Sequence, residues 1–444
     1  MSWQNFRAKG PVLGLRRPHP GWLLAAAGLA ASCVAALPAP LAHAAEKHVP
    51  CSVTALVEAI KKANASPGAD TLRLARKCTY TLTAPDSNDN ANGLPLITTD
   101  ITIHGNASTI KRNSQATTPD FRILAVSGEG NLTLERITIA GGRTADAADC
   151  PIAPDLICGG GILNAGTLAL RASRVTGNSA AGSVSDAVLG GGIHNEGTAT
   201  FTDTRIDGNT VTNTGSGQAI GAGVSNFGTL TVNHGTITRN SAAATGLQAV
   251  GGGLNNFGDA SVTRTVISAN TATNTGGGFA RGGGIGNAGS LTVSGGSVHK
   301  NRVDSSAGIV GGAGITNRAE LKLNATSVRD NNASASDGTV EGGGLRNALG
   351  GTATLTGTPV SGNTADAPGG TALGAGVFNG ADSTTSLERS HVKANIARAS
   401  GGSADGGGIF NQAALGAVTL TNSRVAGNRP NNCAPPGSVA GCTG

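Results

Sequence analysis

Asp203, His234 and Arg264 are the residues of this chain whose types and spacing most invite a chemical reading. They place a carboxylate, an imidazole and a guanidinium at intervals of 31 and 30 residues. Brought together, such groups could do acid/base work on a bound substrate. Thirty residues of separation are no obstacle if the chain repeats with that period, so the reading turns on whether it does.

It does. Alignment on the string Gly-Gly-Gly-aliphatic-x-Asn places Asn164, Asn195, Asn226, Asn256, Asn287, Asn317, Asn347, Asn379 and Asn411 in register, at steps of 30 to 32 residues. A second series follows at Asn178, Asn209, Asn240, Asn270, Asn301, Asn331, Asn363, Asn395 and Asn428. Two residues before the first landmark the residue is always aliphatic, from Ile162 and Ile193 to Ile409; three before the second it is always Val or Ile, from Val175 to Val425. Pairs such as Leu168/Leu170 and Leu230/Val232 alternate with polar residues, the period of a strand.

Each unit therefore reads as three short strands separated by turns. No unit can close a core alone, so the units must stack. The expectation is an all-β fold: one right-handed parallel β-helix, or solenoid, of nine coils with an N-terminal capping helix. At ~4.8 Å per coil, equivalent side chains form ladders, and stacked Asn amides would bond to one another. Helical and leucine-rich solenoids fit less well, because the units lack a 3.6-residue period and are rich in Gly, Thr and Ser. The last three units hold two or three extra residues between their Asn landmarks, which marks one turn as a loop-bearing edge.

Residues 1–44 are organised as a signal peptide, with Arg7, Lys9, Arg16 and Arg17 before an apolar run and Ala42-His43-Ala44 as the cleavage site. Lipid attachment at Cys33 is not favoured, because the residues before it make a poor lipobox. Removing the leader leaves 32 − 4 = 28 basic against 26 acidic residues, so the isoelectric point of about 9.1 belongs mostly to the leader. That balance, with no nucleic-acid motif, excludes a nucleic-acid partner. No later stretch is apolar enough to span a membrane. Six cysteines remain, and proximity in sequence favours Cys51–Cys78, Cys150–Cys158 and Cys433–Cys442 as disulfides in an exported chain. Without Cys-x-x-Cys or a His companion, a metal site is not indicated, and no cofactor motif is present.

Residues 45–142 read as a cap and irregular first coils, 143–428 as the nine-coil helix, and 429–444 as a disulfide-closed tail in which Arg429-Pro430 ends the ladder. Val53, Leu56, Val57 and Ile60 have helical spacing and Ser66-Pro67-Gly68 stops that helix. Taken together, Cys51-Ser52-Val53, Leu56, Glu58-Ala59-Ile60, Ala69-Asp70-Thr71, Cys78-Thr79-Tyr80-Thr81-Leu82 and the Gly-Gly-Gly-Ile-x-Asn units resemble a known group. It comprises bacterial exported β-helix proteins with a Cys-Ser-Leu-Arg-Glu-Ala-type N-terminal segment and repeats like those of polymorphic outer-membrane proteins. The resemblance implies export and this architecture, and brings no catalytic motif with it. No segment of barrel length follows Asn428, so self-anchoring through a membrane barrel is not expected.

Within this frame the position of Asp203, His234 and Arg264 is occupied by Ala172, Gly295 and Ala325 in other coils, which favours polar turn residues over a catalytic set. Glu196 stands beside Phe227 and Phe257, not beside a second carboxylate, so the acid pair of a glycosidase is not evident. His299 and His391 lie in unrelated registers. Phe227/Phe257 is the one candidate stacking platform for a sugar, against the simpler reading of a ladder packing on itself. Thr holds no single outward column, which weakens an ice-binding reading. The functional expectation is a secreted or cell-surface protein, monomeric, non-enzymatic, adhesin-like or envelope-associated, with surface glycans or host components as partners. The alternative is a polysaccharide lyase or glycoside hydrolase working in a groove along the coils through Asp203 and its neighbours.

Overall fold

The computed structural model describes residues 46–86, 91–145, 150 and 156–442. The expected signal peptide, its expected cleavage site and Cys33 lie outside the described residues. The chain is a parallel β-solenoid of about eleven turns. One coil shows the plan: strands Ile193–Asn195, Thr198–Thr202, Arg205–Asp207, Thr210–Asn213 and Gln218–Ile220, each pairing in parallel with its equivalents in the coils before and after. Each unit thus holds five short strands where the sequence suggests three. The extra divisions come from single left-handed residues, such as Asp203 (φ 51°) and Gly208 (φ 64°), which kink an extended chain without a loop.

These five strands enclose two cores. The first, second and third strands surround a large aliphatic cluster that includes Ile193, Phe201 and Ile206. The fourth and fifth strands face each other across a separate cluster made of Ala and Val, with one Ile, including Val211, Ala219, Ala242 and Ala272. Two backbones that approach so closely leave room for little more than a methyl or isopropyl group.

The Gly-Gly-Gly string joins the fifth strand of one coil to the first of the next. Gly190 has φ 59°, and a Cβ on Gly191 would sit 2.1 Å from the Thr210 carbonyl oxygen. One glycine therefore supplies the left-handed bend and the next admits a neighbouring backbone.

Buried amides hold the stack in register. Asn164 Nδ2 donates to Asn195 Oδ1 at 2.6 Å, and the chain of donations runs unbroken to Asn379 and Asn411 at 2.9 Å. The second ladder is tighter in its accounting: Asn240 Oδ1 accepts from both the backbone N–H and the Nδ2 of Asn209, while Asn240 Nδ2 donates to Asn270 Oδ1 and to the Ile206 carbonyl. A third column, of hydroxyls, was not apparent from the sequence. Ser173, Thr204, Thr326, Thr358 and Ser390 are buried, and Thr204 Oγ1 bonds to the Leu170 and Thr202 carbonyls at 3.1 and 3.0 Å.

Both ends are closed. Helix α1 (Val53–Asn64) begins at Ser52, whose Oγ accepts from the Ala55 N–H, and it buries Leu56, Ala59, Ile60 and Ala63 on the first coils. The three expected disulfides form, Cys51–Cys78, Cys150–Cys158 and Cys433–Cys442. Arg429-Pro430 does not end the ladder as the sequence suggests. Asn432 Oδ1 accepts from the Asn428 backbone and side chain at 3.1 Å, and Cys433–Ala434 then adds a further strand on Ile409–Phe410.

Asn256→Ala would remove the ladder acceptor of the Asn226 amide, which keeps the Gly228 carbonyl, and leave the buried Asn287 oxygen without its ladder donor. A loss of roughly 2–4 kcal/mol is expected by chemical denaturation. Asn411→Ala, at the end of the series, should lose clearly less.

Candidate functional site

In the second strands, side chains alternate between buried and exposed, as a solvated sheet face requires. The first and fifth strands behave differently. In the early coils all three residues of each are buried, Gln218 excepted, so their outward side chains are covered as well. The cover is mutual: across each Gly corner the outward residue of the fifth strand meets the outward residue of the first. This makes a concave groove on the outside of the solenoid, running along its axis.

One end of this groove is apolar. Leu156, Cys158, Leu163, Leu189, Ile220 and Val250 form a buried cluster of their own, with Phe227 and Phe257 against it. The two Phe rings lie 4.5 Å apart with an interplanar angle of 34°, and His194 is 5.4 Å from Phe227. His194 Nε2 meets Glu196 Oε1 at 2.8 Å. The apolar surface expected of a stacking platform is present, and it lies in a groove rather than on an open turn.

Further along, the same columns turn cationic. Arg281 occupies the fifth-strand column after Val250, and Arg346 the first-strand column after Thr316. Both are buried, at 6% and 4% exposure, and Arg318 stands beside them one residue past Asn317. Between them the columns hold Gly286 and Gly311, and neighbouring side chains pack over both: a Cβ on Gly286 would be 2.4 Å from Asn255 Oδ1 and one on Gly311 2.7 Å from Arg346 Cδ.

One carboxylate serves this section: Glu341 Oε2 is 2.6 Å from Arg346 Nε. Arg281 stacks on Phe279, its Cζ 4.1 Å from the ring centre. Burial, then the neighbouring guanidiniums of Arg346 and Arg318, pushes Arg281 down to about 9; burial and Arg346 push Arg318 down to about 10.

Among the described residues, thirteen buried side-chain atoms lack a hydrogen-bond partner, and five of them line this groove. They are His194 Nδ1, Ser225 Oγ, Asn255 Nδ2, Arg281 Nε and Arg346 Nη1. Buried polar groups are ordinarily satisfied, so this concentration along one corner stands apart from the rest of the coil. The extra residues of the last three units, expected at one turn, fall between the first and second strands, on the rim of this groove; Leu349 and Leu415 there are 61% and 69% exposed.

Asp203, His234 and Arg264 lie elsewhere, exposed at the turn between the second and third strands. All nine residues of their column are left-handed, from Ala172 (φ 47°) to Asn422 (φ 50°), with Gly295 and Gly357 among them. Backbone conformation, not side-chain chemistry, is what the position has in common. Arg264 Nη1 reaches His234 Nε2 at 3.1 Å. On the neighbouring third-strand face, Arg174 grips Asp207 with two bonds of 2.7 Å, and Arg205 and Arg239 approach the same carboxylate at 3.2 and 3.0 Å. Burial raises the Asp207 pKa, but its bonds to Arg174 and the fields of Arg174 and Arg205 outweigh that and hold it below the usual carboxylate range.

The cationic section of the groove was missed in the sequence because Arg281, Arg318 and Arg346 occupy three different positions of the unit. Only the corner geometry brings their columns together. No group of three or more metal-ligating side chains occurs among the described residues.

No known protein family and no curated protein matches the sequence. Among solved structures, the A-module of the mannuronan C-5 epimerase AlgE6 from Azotobacter vinelandii is similar, with 16% identity and a TM-score of 0.33 over 80% of this chain and 95% of that module.

Arg281 is a depressed base: the unfolded chain keeps its proton well above pH 9, so the fold bears the penalty of the buried charge at neutral pH and sheds it as the pH rises through about 9. Arg281→Gln should therefore raise stability at pH 7, by roughly 1–2 kcal/mol, and the gain should shrink above pH 9. Denaturation of both proteins across that range measures it; a destabilised variant at pH 7 would contradict the reading.

Proposed function

We propose that this chain is an exported, surface-associated binding protein that holds glycans in the corner groove and performs no chemistry on them. The observation that carries the reading is the pair of partly buried Phe227 and Phe257 rings, stacked 4.5 Å apart along the corner. Sugars present apolar ring faces to such a pair, with hydroxyls at the periphery. Export is supported by three disulfides, which persist in oxidising compartments, and by the resemblance to exported repeat proteins. Among the described residues no helix is long and apolar enough to cross a membrane.

Hydrolysis by a carboxylate pair finds no support in the groove, where Glu196 and Glu341 are each engaged by a basic side chain and stand on coils far apart in the stack. The lyase or hydrolase alternative centred on Asp203 would place the reaction at an exposed turn.

A glycan array on the purified chain, run beside a turnover screen on polygalacturonate, alginate and glycosaminoglycans, tests the reading. Binding without turnover is expected, weakened about tenfold by Phe227→Ala or Phe257→Ala, as losing one aromatic contact of 1–1.5 kcal/mol implies. Turnover that disappears in Asp203→Ala would overturn it.

A further inference from the structure

Charge is spread unevenly over this solenoid. The third strands of the nine coils, with the left-handed residue that follows each, hold seven Lys or Arg. These are Arg174, Arg205 and Arg239 in the first three coils, Lys300 and Arg329 in the fifth and sixth, and Lys393 and Arg424 in the last two. Only two carboxylates, Asp207 and Asp330, share these positions. From residue 45 onward the chain has 28 basic and 26 acidic residues, so elsewhere 26 − 2 = 24 carboxylates outnumber 28 − 7 = 21 Lys and Arg. The excess of positive charge belongs to one face.

That charge is presented to solvent: Arg329 is half-buried and the other six are exposed. In the first three coils its geometry is set in advance, because the buried Asp207 carboxylate is shared by Arg174, Arg205 and Arg239. A guanidinium has five N–H donors, and Arg174 gives two to Asp207, so most donors of the cluster point to water while its side chains are held in place. Midway along, burial and then the charges of Arg329 and Lys300 keep the His299 pKa below its usual value. At the far end His391, Lys393 and Arg424 line an open depression of about 510 Å³. Neutral coils, with Val266 and Ser268 and with Pro359 and Ser361, separate the three groups. At ~4.8 Å per coil the groups stand roughly 15 Å apart on a stripe of about 40 Å.

We propose that the third-strand face seats the solenoid on an anionic bilayer, its guanidinium and ammonium groups meeting lipid phosphates. Guanidinium forks suit phosphate oxygens, and lysine meets them as a point charge. Lipids are free to gather under each basic group, whereas a soluble polyanion with evenly spaced charges would leave some of them opposite the neutral coils. The apolar residues on the stripe, Val266 and Pro359, are half-buried, so the face rests on headgroups and does not enter the acyl region. The second strands on one side and the two-strand lobe on the other separate this face from the corner groove. The inference rests on the surface-associated part of the reading above and is independent of the glycan part.

Sedimentation with vesicles tests it, using the chain from residue 45 and phosphatidylcholine vesicles with and without an equal part of phosphatidylglycerol. Binding is expected to the anionic vesicles alone, and it should fade as added salt screens the contact. Lys300→Gln, Lys393→Gln and Arg424→Gln should each weaken it about fivefold, the equivalent of about 1 kcal/mol per charge near an anionic surface. Lys62→Gln, an equal loss of charge on the exposed side of α1, and Phe227→Ala in the groove should leave it unchanged. Thermal unfolding of every variant separates lost binding from lost fold.

Equal binding to neutral and anionic vesicles, binding to neither, or an equal loss with Lys62→Gln would overturn the membrane seat. Capture of soluble polyphosphate without vesicle binding would overturn it in favour of a polymer. Vesicle binding with no glycan bound on the array would uphold the seat and overturn the groove reading; glycan binding without vesicle binding would do the reverse.

Discussion

Everything in this solenoid depends on buried amide groups whose bonds run from coil to coil. An Asn side chain at a turn presents two donors and an acceptor to an apolar interior; a carbonyl of its own turn takes part of this capacity, as Gly197 does for Asn195, and the equivalent Asn one coil away answers much of the rest. The ladder thereby fixes the axial register to the residue. A slip by one position would orphan every amide on that edge and turn each inward aliphatic outward. Register fixed in this way lets the apolar core be simple: columns of Ile, Val and Leu in the main body, and Ala and Val in the thin lobe.

The outer groove follows from the same economy of design. The left-handed glycine and its close-packed neighbours turn the chain sharply between the fifth and first strands, and a sharp inward corner makes a concave surface on the outside. Because each coil repeats the corner, the concavity becomes a groove along the axis. What lines it is the one set of side chains that neither ladder nor core dictates. Those columns vary along the stack from Leu and Ile through Phe, Ser and Asn to Arg, while ladder positions nearby stay constant. Regular scaffold and variable lining are thus separated by position within the coil.

Much of the scaffold was legible in the sequence because its periodicity is a direct print of its physics. The aliphatic residue at Ile193 and its equivalents, the Asn at 195 and 209, the capping helix and the cysteine pairs each have a local signature. The five-strand plan was not legible, since a single left-handed residue such as Ala172 or Asp203 leaves no mark distinguishable from an ordinary polar turn. Nor was the hydroxyl column, whose Ser and Thr are lost among many others in the composition. The groove was half visible: Phe227 and Phe257 could be seen to stack, but Arg281, Arg318 and Arg346 sit at different offsets from the Asn landmarks. Asp203, His234 and Arg264 drew attention for the opposite reason, sharing one offset; what the column shares in the structure is a backbone angle.

The central claim is that the variable lining of the corner, and not the exposed turn column, meets the ligand. A crystal structure of the chain with a bound oligosaccharide tests this most directly. The sugar chain is expected in the corner groove, against the rings of Phe227 and Phe257. A sugar chain lying instead over Asp203, His234 and Arg264, or along the third-strand face at Arg174 and Arg205, with the corner groove unchanged, would contradict it.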